Sequence, residues 1–222
     1  MPEIRRILVV LEPASAHGTV PELATRIAAR ISAQIEAILV QDAALMTAAD
    51  LPFTQEILAT TGVKRGLTRE SLELDFQALA RNLALRFEDL AGRAGLRWEL
   101  RSVRGQPITE ITAASAACDL FLLGQPRNTS FSLEAVRKIA DAAHRPAIFL
   151  GDLASSIGSL SVLDGQAEDL PSLISLLAPV FIGTPTIYHQ PSATELMDLR
   201  RRTVLVLPDR PREPSDGGPE LS

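Results

Sequence analysis

Short, continuous apolar runs alternate with helix-period segments along most of this chain, and that alternation restricts the fold more than any other feature. Ile7-Leu-Val-Val-Leu11 is rich in branched residues, and Thr19-x-x-Glu22, with Pro21 between them, reads as a capping box opening a helix whose Leu23, Ile27 and Ile31 share one face. Residues 35–40 form a second apolar run, continuous rather than alternating, as expected of a strand covered by helices on both sides. Leu72, Phe76, Leu79, Leu83, Phe87 and Leu90 follow one another at helical spacing, and Gly92 and Gly95 end the pattern. Residues 97–103 then alternate as a strand. Residues 107–117 read as a helix with Ile108 and Ile111 inward, and Asp119-Leu-Phe-Leu-Leu123, closed by Gly124, is a buried strand. Leu133, Val136, Ile139, Ala140 and Ala143 mark another helix, after which Pro146 introduces a strand over 147–150. Residues 41–66, punctuated by Pro52, Gly62 and Gly66, have no strong period and are expected to be a long loop.

The order βαβαβαβαβ predicts a doubly wound parallel five-stranded sheet, because each crossover is right-handed and lays a helix on one face. A ligand in such a sheet sits beyond the C-terminal strand ends where the strand order reverses. Those ends carry residues 12–17, Gln41 and Asp42, and residues 124–130.

Composition excludes several classes. Hydrophobic residues make up 46% and charged residues 22%, which suits a globular chain. The 22 Lys and Arg are dispersed among 27 Asp and Glu, for a net charge of −5, so a nucleic-acid partner lacks its electrostatic footprint. Cys118 is the single cysteine and reads as a buried thiol at a helix end. His17, His144 and His189 lack the paired spacing of metal ligands, so no metal is expected. The opening apolar run stops at Glu12, too short for a signal-peptide core. The most apolar later stretch, residues 173–182, falls well short of the roughly 20 residues a membrane span needs. A cytoplasmic protein without a membrane partner is expected.

Residues 7–15, Ile-Leu-Val-Val-Leu-Glu-Pro-Ala-Ser, together with Ala37-Ile-Leu-Val40, Gly105-x-Pro107, Asp119-Leu-Phe-Leu-Leu-Gly124 and Arg145-Pro-Ala-Ile-Phe149, resemble in order and spacing the universal stress protein family over about 150 residues. The resemblance implies a Rossmann-like sheet in the order 3-2-1-4-5, often dimeric. Nucleotide-binding members follow the fourth strand with a Gly-x2-Gly-x9-Gly-Ser/Thr loop that cradles phosphates. Here Gly124 fills the first position, Arg127 stands at the second, and Leu133-Glu134 stands at the final pair. Gly124 to Leu133 is nine steps against the motif's thirteen. A carboxylate at a helix N-terminus suits the helix dipole and repels phosphate. The base-binding end is better kept, with Glu12 at the family's acidic position, one methylene longer than Asp, and Val40 at the strand-end backbone.

Residues 159–167 repeat the Val-Leu-acid pattern of the first strand, and the echo continues through an apolar helix over 169–179, Thr186-Ile-Tyr-His-Gln190, the capping box Ser192-x-x-Glu195 and Thr203-Val-Leu-Val-Leu207. The expected organisation is an α/β domain over 1–151, a smaller truncated α/β repeat over 157–208 matching strands 1, 2 and 4, and a disordered tail over 209–222. Glu12, Ser15 and His17 offer a superficial acid, nucleophile and base, yet residues on one turn seldom reach triad geometry. Lys64, Arg65 and Arg69 cluster at the end of the long loop, either over the crevice or as solvated surface. Asp164-Gly165 reads as a turn, and Trp98 and Tyr188 as strand packing.

The leading expectation is a non-enzymatic module acting through protein contacts or homodimerisation in stress adaptation or regulation, with no cofactor, no tight ATP binding and no small-molecule ligand. Two alternatives stay open. One is a sensor of a small adenine-containing or anionic ligand held by Glu12, Val40, Gly124, Arg127 and Asn128; the other is a weak nucleotide hydrolase.

Overall fold

The structure is a computed structural model that describes residues 3–13, 19–52, 54–57, 62, 64–124, 132–151, 159–163 and 170–208. Its elements are β1 (Arg6–Leu11), α1 (Val20–Ile31), β2 (Gln34–Asp42), α2 (Ala43–Ala49), β3 (Gln55–Ile57), β4 (Lys64–Gly66), α3 (Arg69–Arg93), β5 (Trp98–Gly105), α4 (Pro107–Ser115), β6 (Leu120–Gly124), α5 (Leu133–Ala143) and β7 (Ala147–Leu150). They continue with β8 (Leu160–Leu163), α6 (Leu170–Leu177), a 3-10 turn (Ala178–Val180), β9 (Thr186–Tyr188), α7 (Ala193–Leu199) and β10 (Thr203–Val206).

Eight strands form one sheet in the order β5-β2-β1-β6-β7-β10-β8-β9. The first five, all paired in parallel, have the expected order 3-2-1-4-5. β10 continues the sheet by pairing antiparallel with β7, Val204 opposite Phe149 and Leu205 opposite Ile148. β8 and β9 then follow in parallel. The unit after β7 is thus joined to the rest through its sheet.

Alternate residues of each strand feed two cores, as the two-residue period of a strand requires. Ile7, Val9 and Leu11 face α1 and α3, meeting Leu23, Ile27, Phe76 and Phe87. Leu8 and Val10 face α4 and α5, meeting Ile111, Val136 and Ile139. Both cores run across the β7–β10 junction: the first takes in Leu205 with Leu173 and Leu177 of α6, the second Val204 and Val206 with Leu199 of α7. Arg26 of α1 donates to the Val180 carbonyl at 3.2 Å, a polar tie between the two parts.

Gly151 marks the closest approach at that junction. Its N–H donates to the Arg202 carbonyl at 2.9 Å. A Cβ placed on it would lie 2.5 Å from the Arg201 carbonyl carbon and 2.7 Å from the Arg202 nitrogen, so only glycine lets the two backbones meet there.

Three sequence expectations are corrected. Ile108, expected inward with Ile111, is 49% exposed, because three residues along α4 turn it away from the sheet that buries Ile111. Residues 41–66 are not one long loop: they contain α2 and the β3–β4 antiparallel hairpin. Asp42 caps α2 by accepting from the Ala44 N–H at 2.8 Å, and Met46 and Ala49 bury its inner side. The Thr19-x-x-Glu22 capping box does not form. Thr19 makes no side-chain cap bond, and Glu22 is drawn instead to Arg86 of α3, whose Nη2 lies 2.5 Å away, because a buried-side guanidinium offers a charged partner that a backbone amide does not. Two capping boxes do form, Thr68 with Ser71 at the start of α3 and Ser192 with Glu195 at the start of α7, the second as expected. The tail over 209–222 and the connector over 152–158 lie outside the described residues.

Candidate functional site

β1 is the strand at which the sheet order reverses, flanked by β2 on one side and β6 on the other. Leu11 pairs with Leu39, so Glu12, the next residue, stands level with Val40; Val10 pairs with Leu123, which puts Gly124 level with Leu11. The sheet therefore sets Glu12, Val40 and Gly124 at neighbouring strand ends, beside the strand-order reversal where a crevice is expected. Arg127, Asn128, Ser15 and His17 lie outside the described residues, as does Asp164-Gly165.

Half-buried Glu12 has its carboxyl pushed up to about 7, first by burial and then by the nearby Asp42 carboxylate. Asp42 is itself tied down as the N-cap of α2. A third carboxylate faces solvent at the start of α5. Ser132 caps that helix, its hydroxyl accepting from the Ala135 N–H at 3.2 Å, and Glu134 in the first turn pairs with Lys138 at 3.0 Å, which holds its carboxyl below the usual range. The helix end that would greet a phosphate is thus capped by its own serine and carries a permanent negative charge.

Arg104, at the far end of β5, donates to Gln41 at 3.3 Å and lies 3.5 Å from Glu73 of α3. Sequence reading overlooked it because a strand arginine carries no local signal; only the β2–β5 register sets it beside Gln41. Asp42 could have been found as an N-cap, since it immediately precedes a helix-forming Ala-Ala-Leu-Met stretch. Arg69 is not aimed at the crevice: it forms a two-nitrogen ion pair with Asp50 at the end of α2.

The other candidates are structural. Cys118 is buried, its thiol 3.1 Å from the Ser115 carbonyl, and burial pushes it up to about 11, which leaves little thiolate near neutrality. His144 ends α5 in the left-handed conformation, before β7 and so at the opposite end of the sheet from the crevice. Trp98 stacks on Phe87 with ring centroids 5.8 Å apart. Among the described residues no group of three or more His, Cys, Asp and Glu is placed to hold a metal, and no helix is long and apolar enough to cross a membrane.

The raised Glu12 carboxyl has a consequence for stability. Its folded value of about 7 lies above the ordinary 4.5, so the folded state holds the proton more tightly. Stability is then greatest below about pH 4.5 from this group, falls as pH rises through 7, and the loss is complete above that. Glu12→Gln should leave the melting temperature unchanged near pH 4.5 and raise it at pH 8. Allowing for partial exposure, the gain is about 1–2 kcal/mol, or roughly 2–8 °C. Equal melting curves at pH 8 would mean the carboxylate is better solvated than its setting implies.

No family model and no curated protein matches the sequence. Among solved structures, the chain is similar to a universal stress protein from Archaeoglobus fulgidus DSM 4304, with 13% identity and a TM-score of 0.49 over 91% of this chain and 76% of that one. It is also similar to a putative universal stress protein from Pseudomonas aeruginosa UCBPP-PA14, with 16% identity and a TM-score of 0.44 over 89% of this chain and 66% of that one. A functionally unknown protein from Pseudomonas aeruginosa PAO1 gives 16% identity and a TM-score of 0.45, over 88% and 64% of the two chains.

Proposed function

We propose that this chain is a universal-stress-protein-like module that performs no catalysis, binds no nucleotide tightly and acts through protein contacts in stress adaptation or regulation. One observation carries the reading: the crevice at the strand-order reversal is lined by Glu12 and Asp42, and the α5 N-terminus beyond it bears Glu134. Polyphosphate carries several negative charges. Bringing it to this crevice opposes like charges and meets a helix end already capped by Ser132.

The unit after β7 fits the same reading as a truncated second repeat. Its strand order β9-β8-β10 is that of β2-β1-β6. α6 packs on the same side of the sheet as α1, and α7 on the same side as α4. Three strands supply no fifth strand of their own, and β7 stands in that place, running the other way.

ATP with magnesium should not raise the melting temperature, since a ligand stabilises only through its affinity for the folded state. A saturable rise would overturn the reading. The double variant Arg127→Gly with Glu134→Ser should stay silent too, the loop being shorter than the phosphate-binding pattern; micromolar affinity in that variant would locate the missing residues elsewhere.

A second reading has one observation in its favour. A carboxyl with a value of about 7 is partly protonated at neutral pH, and a protonated Glu12 beside Val40 could both donate to and accept from the edge of a neutral base. Adenosine, which lacks the phosphates, tests it: a melting shift with adenosine and none with ATP would favour this sensor.

A further inference from the structure

α3 presents two sides to its surroundings. Leu72, Phe76, Leu83 and Phe87 are buried against the sheet and α1. On the opposite side Leu74, Arg81, Leu85, Glu88 and Gly92 fall in one row, because intervals of seven, four, three and four residues return to the same direction at 3.6 residues per turn. Leu74, in the second turn, is 58% exposed and Leu85, near the middle, 71% exposed, high values for leucines in a long helix. Beside Leu85 lies an open hollow of about 400 Å³ lined by Arg81, Ala84, Leu85, Glu88 and Trp98, between the helix and the uncovered edge of β5. Arg81 and Glu88 form no ion pair among the described residues.

This row is self-complementary. We propose that the outer face of α3 is a homodimer interface, with the helices of two chains packed antiparallel about a twofold axis passing between Ala84 and Leu85. The proposal deepens the protein-contact reading above and rests on it, giving the partner as a second copy of this chain. In a twofold contact residue i meets residue j and j meets i. An axis midway between Arg81 and Glu88 sets each Arg81 against the partner's Glu88, so two ion pairs form from one patch. The protruding Leu85 of each chain falls beside the partner's Leu85, so the two side chains cover one another across the axis, between the two ion pairs. Leu74 falls near the partner's Gly92 and Gly95, where nothing lies within 4 Å of the position a side chain would take. The apolar centre and both charges thus belong to the same surface. One helix face with its flank is a small interface, so the dimer should form and dissociate with concentration.

Sedimentation of the full-length protein over a concentration series tests this. The wild type should pass from monomer to dimer. Arg81→Glu and Glu88→Arg, each alone, oppose like charges twice and should weaken the dimer at least about tenfold. The two together restore opposite charges with their places exchanged, and should recover the affinity to within about threefold. Leu85→Glu should give monomer. All three positions are solvent-facing, so melting temperatures serve as the check that folding is intact. A chain that stays monomeric at every concentration, a dimer indifferent to the single swaps, or a double swap that fails to recover would each overturn the proposal. A foreign helix seated on this face with no self-association would do so as well. None of these variants touches the crevice, so loss of the dimer leaves the ATP result standing, and an ATP-induced shift leaves the dimer result standing.

Discussion

Deleting residues 155–222 is expected to yield a protein that keeps its helices and strands yet aggregates or changes its subunit number. The remaining five parallel strands keep their order and the long helix α3, so local structure survives. What disappears is the neighbour of β7. Ile148 and Phe149 have no exposed surface in the intact chain, and across from them Leu205 and Val204 are equally buried. Stripping β10 leaves a row of unpaired backbone groups on β7, a template for pairing with another molecule. It also bares apolar side chains on both faces, because both cores cross the junction. Each large side chain returned to water costs about 1.5–3 kcal/mol, and several are returned at once. Circular dichroism should show retained secondary structure, while dye binding to apolar patches and light scattering should both rise. A monodisperse truncation with the parent's subunit number and unchanged stability would reduce the unit after β7 to a tethered appendage.

Gly151→Ala should destabilise the chain clearly more than the same change at Gly105. The new Cβ meets the backbone of residues 200–202, which cannot swing aside as a side chain can, and relief requires the turn before β10 to move. Forced shifts of this kind cost about 1–3 kcal/mol, or roughly 2–12 °C in melting temperature for a chain of this size. Gly105→Ala is the matched control. Its Cβ would meet only the flexible carboxyl end of Glu110, so the expected change is below about 0.5 kcal/mol. If both variants melt alike, the junction is looser than its backbone contacts imply.

Strong local periods account for what the sequence made legible. The Ile7 to Leu11 run, the helical row from Leu72 to Leu90 and the Pro-led strand over 147–150 each carry enough apolar residues to name their element, and their alternation leads to a doubly wound parallel sheet; the order 3-2-1-4-5 was implied by the family resemblance instead. Residues 41–66 were illegible for the opposite reason. α2 spans seven residues, most of them alanine, and buries only Met46 and Ala49; β3 and β4 have three residues each, too few for an alternation to register. The Thr19 capping pattern was locally sound and lost to a partner 64 positions away in the chain, since Arg86 is brought to Glu22 only by helix packing.

The crevice divides in the same way. Glu12 and Gly124 follow from knowing where strands end, and Val40 from the family resemblance. The effect of Asp42 on Glu12 depends on the β1–β2 register, and the placing of Arg104 on the β2–β5 register, neither of which is written in any one segment. The β7–β10 pairing was equally hidden, because an apolar run of four residues does not declare its neighbour.

Native mass spectrometry of freshly purified full-length protein tests the central claim most directly, because it reads retained ligand and subunit number in one spectrum. The account predicts only bare polypeptide, as the 23.9 kDa monomer and a dimer of twice that mass whose share rises with concentration. A species heavier by the mass of a nucleotide, surviving purification in stoichiometric amount, would contradict it.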